Sequence, residues 1–193
     1  EQAIECIQSM EKAKFDETIE LAFNLGIDPR QSDQAIRSAI VLPNGTGKEQ
    51  TVVVIATGDA ASAAKEAGAD VVGYEDVIER IKDGWLDFDV LVTTPAAMKD
   101  IRALGRALGP RGLMPNPKTG TLTDDIEGAV KQAKAGRVEY RNDRGGCVHV
   151  PIGRRSFSTE ALVQNADAII QQILQARPAT IKGIYLQNVA ISS

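Results

Sequence analysis

Two continuous apolar runs in the middle of the chain constrain its fold more than any other feature. Residues 51–56 have the sequence TVVVIA and residues 88–93 the sequence FDVLVT, which is typical of strands buried on both faces of a sheet. Helical patterns over 59–67 and 75–82 lie between them. Strand–helix alternation with such short links predicts β-α-β units and a parallel sheet.

Three further elements belong to this middle segment. We expect a short strand over 69–72, a helix over 96–108 and a helix over 124–135. The last of these has acids in its first turn and Lys134 in its last turn, the charge order that the helix dipole favours.

The two ends of the chain have a different pattern, with partly alternating strands and a long amphipathic helix. We predict helices over 1–12 and 158–175, with Ser158 as N-cap, a short helical turn over 32–36, and strands over 17–25, 38–42, 137–141, 147–152 and 181–193. The segment Asp143-Arg-Gly-Gly146 is a hairpin turn signal.

These patterns together predict an α/β and α+β fold with two domains. A split α+β domain would comprise residues 1–45 and 137–193, and an inserted Rossmann-like parallel β-α-β domain residues 46–136. Gly45, Gly47 and Gly136 lie where the chain passes between the two, and we predict a hinge there.

A basic loop rich in glycine and proline follows the predicted helix over 96–108. Residues 105–120 contain four glycines and three prolines, and residues 101–123 contain no acid. Exposed backbone N–H groups beside cations suit a phosphate backbone. Composition alone fits a structural loop equally well.

The formal net charge of −4 is unevenly distributed along the chain. Residues 59–89 carry nine acids against three bases and contribute −6, which leaves +2 for the remainder. No acid occurs from Ala168 to the end. The acidic segment is most simply a solvated surface, while the rest of the chain is compatible with a polyanionic partner.

Patterns for catalysis, metals, cofactors and membranes are absent or incomplete. Cys6, Cys147 and His149 are too few for a four-ligand zinc site. The segment Gly45-Thr-Gly-Lys48 fails the P-loop pattern at both ends, with Glu49 where Ser or Thr is required. His149 has no evident nucleophile, and no apolar run reaches membrane-spanning length. We therefore predict a binding protein that is not an enzyme, with no cofactor.

Side chains suited to RNA occur at several predicted strand ends. They are Lys14, Phe15 and Thr18 before the first strand, Arg154-Arg155 after the Cys147 strand, and Asn188, Ser192 and Ser193 on the last strand. Hydroxyls and amides can bind 2′-OH groups, an aromatic ring can stack, and cations can bind phosphate. The alternative is a two-domain binder of a small molecule, or an enzyme, with its ligand at the ends of the parallel strands.

Several motifs together resemble the ribosomal protein L1 family, of the bacterial or organellar type. They are Lys14-Phe-Asp-Glu-Thr18, Leu25-Gly-Ile-Asp-Pro-Arg30, Leu42-Pro-Asn-Gly-Thr-Gly-Lys48, Ala67-Gly-Ala-Asp70, Gly84-Trp-Leu-Asp-Phe-Asp89, Leu108-Gly-Pro-Arg-Gly-Leu-Met-Pro-Asn-Pro-Lys-Thr-Gly120, Gly136-Arg-Val-Glu139, Pro151-Ile-Gly153 and Lys182-Gly183. They cover the chain nearly from end to end.

The resemblance implies the two-domain architecture and a place in the mobile stalk of the large ribosomal subunit. It implies binding to large-subunit rRNA, help in the release of deacylated tRNA from the exit site, repression of the protein's own mRNA, contacts with other ribosomal components, and a cytoplasmic or organellar ribosome as location. Carried over by motif, the rRNA contacts are Lys14, Phe15, Thr18, Arg154, Asn188, Ser192 and Ser193, and a secondary RNA surface comprises Arg111, Asn116 and Lys118. The family also leads us to expect a basic extension before Glu1 and a Thr-Met-Gly-Pro segment after Ser193.

Overall fold

The computed structural model describes residues 1–193, which form two compact units. Unit 1 comprises residues 1–48 and 136–193, and unit 2 comprises residues 49–135. Whether the units behave as separate domains joined by a hinge stays a prediction.

Unit 1 contains two antiparallel sheets and two helices. Its elements are α1 (Gln2–Ser9), β1 (Thr18–Leu25), β2 (Arg37–Val41), β6 (Arg137–Arg141), β7 (Cys147–Arg154), α7 (Thr159–Gln175) and β8 (Leu186–Ser192). The three-stranded sheet has the order β7-β1-β8, and the smaller sheet pairs β2 with β6. Both sheets are antiparallel throughout.

One face of the three-stranded sheet covers the core of unit 1. Alternate residues of β1 are buried, including Ile19 and Phe23, and they pack with buried residues of α1, β7 and α7. The N-cap prediction for α7 is confirmed, since the Ser158 hydroxyl accepts a hydrogen bond from the Ala161 N–H. Because side chains alternate along a strand, the opposite face of the sheet carries the other half of β1.

Unit 2 is built around a parallel three-stranded sheet. Its elements are β3 (Val52–Ile55), α2 (Asp59–Glu66), β4 (Val71–Gly73), α3 (Glu75–Lys82), β5 (Val90–Thr93), α4 (Met98–Ile101), α5 (Gly105–Leu108) and α6 (Ile126–Lys134), with 3-10 turns at Arg102–Leu104 and Pro117–Thr119. The central strand β3 pairs in parallel with β4 and β5, and all four of its residues are buried. The prediction of a parallel sheet with β-α-β connections is confirmed.

The helix predicted over 96–108 is wrong as a continuous element. Two short α-helices and a 3-10 turn replace it, and the break falls just before Gly105. Glycine inside a helix costs about 1 kcal/mol relative to alanine, and the tighter 3-10 turn keeps Ile101, Leu104 and Leu108 on the buried side.

The last strand begins at Leu186, five residues later than predicted. The guanidinium of Arg177 donates hydrogen bonds to the carbonyls of Ile181 and Gly183, which holds this stretch as a loop. Ile181 and Tyr185 are buried, so the apolar residues that suggested a strand fix the loop to the core. The first helix likewise ends early, at Ser9 rather than Lys12.

No helix of the structure is both long and apolar enough to cross a membrane. No group of three or more His, Cys, Asp or Glu side chains is placed to hold a metal ion.

Candidate nucleic-acid interface

The face of the β7-β1-β8 sheet that points away from the core carries most of the predicted rRNA contacts. The register pairs Thr18 with Arg154 and Glu20 with Ser192. Residues paired across an antiparallel ladder point to the same side. The face therefore comprises Thr18, Glu20, Ala22 and Asn24 of β1, Cys147, His149, Pro151 and Arg154 of β7, and Asn188, Ala190 and Ser192 of β8, and we call it the open sheet face.

Three of its predicted contacts, Thr18, Arg154 and Ser192, are hydrogen-bonded to neighbouring residues. Arg154 Nη1 donates to Thr18 Oγ1 at 3.0 Å and to the Asp16 carbonyl at 3.1 Å. The Ser192 hydroxyl donates to Glu20 Oε1 at 3.3 Å. Asn188 lies four residues along β8 from Ser192, opposite Asn24, which places it about 13 Å away along the strand. Ser193 follows β8 and is exposed.

Lys14 and Phe15 lie in the segment that leads into β1. Phe15 is 72% exposed, although it is one of only four phenylalanines in the chain. Both side chains line an open cleft of about 970 Å³ together with Met10, Lys12 and Arg155. An exposed aromatic ring beside two lysines is an arrangement that suits a nucleotide, because the ring can stack and the cations can bind phosphate.

Glu20 and its neighbour His149 also lie on this face, and neither was among the predicted site residues. His149 Nδ1 lies 3.8 Å from Glu20 Oε1, and both side chains are about half exposed. A carboxylate can accept hydrogen bonds from 2′-OH groups or base amines, but it repels phosphate. The sequence signal for Glu20 is its spacing of two residues from Thr18, because residues i and i+2 of a strand lie on the same face. This signal becomes usable only when the pairing of β1 is known.

A partly buried ion pair lies next to the Lys14–Phe15 segment. The Arg155 guanidinium bonds to Glu17 Oε2, and only 10% and 14% of the two side chains is exposed. The hydrogen bond from Arg155, together with one from the Ala13 N–H, holds the pKa of Glu17 below its usual value.

The depressed pKa predicts a loss of stability at low pH. A carboxylate whose folded pKa is lowered stabilises the fold above its unfolded pKa of about 4.3, and this contribution disappears as the pH falls through the folded pKa. We therefore expect the free energy of unfolding to fall below about pH 4.3, and to fall less steeply in Glu17→Gln. Urea unfolding at a series of pH values measures both, and identical acid-side slopes would contradict this assignment.

A second basic feature lies on the two-stranded sheet. Arg37 and Arg141 are directly opposite each other in the β2–β6 register. Arg37 is 3.8 Å from Glu139, whereas the Arg141 side chain is exposed and has no hydrogen bond or ion pair. Like charges directly opposite each other destabilise a sheet, and Glu139 forms an ion pair with only Arg37 of the two. The alternating charges of RVEYR were the sequence signal for it.

The predicted secondary surface lies in unit 2, in the glycine- and proline-rich loop. Arg111 and Lys118 are exposed, while Leu113 and Met114 pack against the core and anchor the loop. Asn116 has a structural role, because its Oδ1 accepts a hydrogen bond from the Lys118 N–H and caps the Pro117–Thr119 turn.

The predicted hinge glycines are needed for local geometry. Gly45, Gly47 and Gly136 all have positive φ. A Cβ on Gly47 would lie 2.7 Å from the Phe157 ring, and a Cβ on Gly136 would lie 2.6 Å from Gly45 Cα. These close contacts all lie within unit 1, and the role of the three glycines in a hinge stays a prediction.

Comparison with known proteins decides between an RNA-binding protein and the alternative of a small-molecule binder. Residues 7–193 match the model of the ribosomal protein L1p/L10e family. The chain belongs to this family.

Bacterial members of the L1 family are similar to this chain over its whole length. The large ribosomal subunit protein uL1 of Lactobacillus acidophilus is 57% identical over 192 residues, which is 100% of this chain and 84% of the relative. The uL1 proteins of Lactiplantibacillus plantarum and Aromatoleum aromaticum are 54% and 56% identical, with 84% and 83% of their lengths covered. These identities confirm the predicted family and its bacterial type.

Membership of the L1 family settles the broad function. The chain is a structural constituent of the large ribosomal subunit, located on the ribosome, and the prediction that it is not an enzyme is confirmed by the family. The site residues within the L1 chain stay a prediction.

Proposed function

We propose that this L1-family chain binds large-subunit rRNA through the open sheet face and the Lys14–Phe15 segment, and so forms the mobile stalk beside the tRNA exit site. The observation that carries the proposal is the shared orientation of Thr18, Arg154, Asn188 and Ser192 on one side of the β7-β1-β8 sheet. Within unit 1, both helices, α1 and α7, pack on the opposite side of this sheet.

The chemistry of this face suits a folded RNA stem better than a DNA duplex. Its hydroxyls and amides can bind 2′-OH groups in the wide, shallow minor groove of an A-form helix. Arg154 and Lys14 would add phosphate contacts and salt-dependent affinity. Phe15 would stack on a base or pack on a sugar at an unpaired position.

Replacing Phe15 by alanine tests this surface. We expect affinity for the cognate stalk stem-loop to fall about 5- to 150-fold, since one stacking contact contributes about 1–3 kcal/mol, with a smaller loss on a scrambled hairpin. Thr18→Val should act in the same direction. The measurement is a fluorescence-anisotropy titration of both RNAs.

Ile184→Ala is the matched control, because Ile184 is 77% exposed and lies in unit 1 outside the open sheet face. Its affinity for both RNAs should equal that of the unsubstituted chain. An equal loss on cognate and scrambled RNA in Phe15→Ala would remove Phe15 from the specific interface.

We further propose that the chain assists the release of exit-site tRNA and represses translation of its own mRNA. The like-charged pair of Arg37 and Arg141 supports a second RNA surface, separate from the open sheet face because it lies on the other sheet of unit 1. A tRNA held there would remain accessible while rRNA occupies the first surface.

Arg141→Gln tests the second surface. We expect weaker binding of deacylated tRNA, with the slope of log affinity against log salt reduced by about one, and unchanged affinity for the stalk stem-loop. Arg111→Gln in the unit 2 loop is the comparison for the other predicted surface. Unchanged tRNA binding in Arg141→Gln would exclude the Arg37–Arg141 pair as the tRNA contact.

A further inference from the structure

We propose that Arg155 and Glu17 are positioning residues that fix the Lys14–Phe15 segment in the shape that RNA recognises, an inference that rests on the proposed rRNA binding. Neither residue would touch the RNA. We call Arg155 and Glu17, together with the groups that they bond, the clasp.

Arg155 ties three parts of unit 1 together. Its guanidinium donates hydrogen bonds to the carbonyls of Gln8, Met10 and Glu11, which follow or end α1. It also bonds to the Glu17 carboxylate, and the Arg155 backbone N–H donates to the Glu17 carbonyl at 2.9 Å. One side chain therefore joins the end of α1, the start of β1 and the loop after β7.

Glu17 and Asp16 anchor the same segment through further hydrogen bonds. Glu17 Oε1 accepts a hydrogen bond from the Ala13 N–H at 3.1 Å. Asp16 accepts hydrogen bonds from the Ser156 N–H at 3.1 Å and from the Ser156 hydroxyl at 2.8 Å. With the Arg154 bond to the Asp16 carbonyl, residues 13, 16 and 17 are anchored, and Lys14 and Phe15 are held out between them.

Arg155 differs from the exposed cations of this surface because its guanidinium is largely inaccessible to RNA. Only 10% of the Arg155 side chain is exposed, and its guanidinium donors are directed at four protein acceptors. It is therefore poorly placed to bind a phosphate. Lys14 and Phe15, by contrast, are exposed and have no side-chain hydrogen bond, so only their backbone anchors determine where they point. A segment fixed before binding loses less conformational freedom on association.

The negative charge of Glu17 allows the clasp to be distinguished from a purely electrostatic effect on RNA affinity. Removal of a carboxylate beside an RNA-binding surface should, by Coulomb's law, strengthen RNA binding. Loss of the clasp should weaken it, because the Lys14–Phe15 segment is released. The two explanations predict opposite results for Glu17→Ala.

The experiment compares the full chain with Glu17→Ala, Arg155→Gln and the double variant in titrations of the stalk stem-loop and a scrambled hairpin over a range of salt concentrations. We expect each single variant to bind the stem-loop about tenfold more weakly, with a much smaller loss on the scrambled hairpin. The double variant should be no weaker than the weaker single variant. The salt slope of Arg155→Gln should stay unchanged, whereas loss of a direct phosphate contact would lower it by about one.

Matched controls remove the same charges elsewhere in unit 1. Asp167 and Arg144 are exposed and have no side-chain hydrogen bond or ion pair, so Asp167→Ala and Arg144→Gln report the effect of charge alone. Amide hydrogen exchange of residues 10–17 should speed up in the clasp variants and not in the controls. Arg155→Lys keeps the charge but has fewer donors, and it should fall between the unsubstituted chain and Arg155→Gln at the same salt slope. It also keeps the test valid if Arg155→Gln folds poorly.

Stem-loop binding by Glu17→Ala that equals or exceeds that of the unsubstituted chain would contradict the positioning role. A reduced salt slope in Arg155→Gln, with equal losses of affinity for both RNAs, would contradict it too. If the unsubstituted chain does not discriminate between the two RNAs, the proposed rRNA binding itself fails and the inference fails with it. If it does discriminate and the variants match it, the inference alone fails.

Discussion

Asn165→Ala should lower the free energy of unfolding by about 2–4 kcal/mol. The Asn165 side chain is fully buried in the middle of α7. Its Nδ2 donates to the carbonyls of Ile152 and Gly45 at 2.7 and 3.0 Å, and its Oδ1 accepts from the Asn44 N–H at 3.0 Å. Alanine would leave the Ile152 carbonyl buried without this partner. The loop after β2 would keep only the bonds from Asn44 Nδ2 to Ala161 and Gln164 as its attachment to α7.

Urea unfolding followed by far-UV circular dichroism measures the loss, and hydrogen exchange of β7 and α7 amides localises it. Trp85, the only tryptophan, lies in unit 2, so its fluorescence is not a reporter of this region. Gln171→Ala is the control on the same helix, at an exposed position, and it should change stability by less than about 0.5 kcal/mol. A loss below about 1 kcal/mol in Asn165→Ala would show that water replaces all three bonds.

Gly136→Ala should destabilise the chain by about 3 kcal/mol or more. Gly136 has φ of +89°, a left-handed conformation that costs other residues about 1–2 kcal/mol. The added Cβ would also lie 2.6 Å from Gly45 Cα and 3.0 Å from the Thr46 N. These are backbone atoms, so no side-chain rotation relieves the contact, and the loop at residues 45–46 must shift.

Gly183→Ala separates the cost of the left-handed backbone from the cost of the close contact. Gly183 has φ of +96° and nothing lies within 4 Å of the position of its Cβ. It lies in the same unit and should cost about 1–2 kcal/mol, from the backbone conformation alone. The difference between the two variants in urea unfolding therefore measures the close approach of Gly136 to Gly45. Equal costs would mean that the loop adapts without penalty.

The elements of unit 2 follow closely from local sequence. The helix predicted over 75–82 is observed at Glu75–Lys82, because its acidic first turn, basic last turn and apolar face all agree. The broken helix after Pro95 and the loop anchored by Arg177 were not predictable in this way. The first breaks at Gly105, where the 3-10 turn keeps the apolar side chains buried, and the second is held by hydrogen bonds from Arg177 to the Ile181 and Gly183 carbonyls.

The candidate site was only partly accessible from the sequence. The motif around Lys14 and Phe15 drew attention to that segment, but the alignment of Thr18 with Arg154 and of Glu20 with Ser192 depends on strand register. Register joins residues more than a hundred positions apart, which no local pattern specifies. The same holds for Arg37 opposite Arg141 and for the contacts of Arg155 with the end of α1.

A salt titration of stalk stem-loop binding, beside a scrambled hairpin, tests whether this chain recognises large-subunit rRNA specifically. We predict that the stem-loop binds at least about a thousandfold more tightly near physiological salt, and that log affinity falls linearly with log salt for both RNAs. Equal, weak binding to the two RNAs at every salt concentration would contradict specific recognition of the stem-loop.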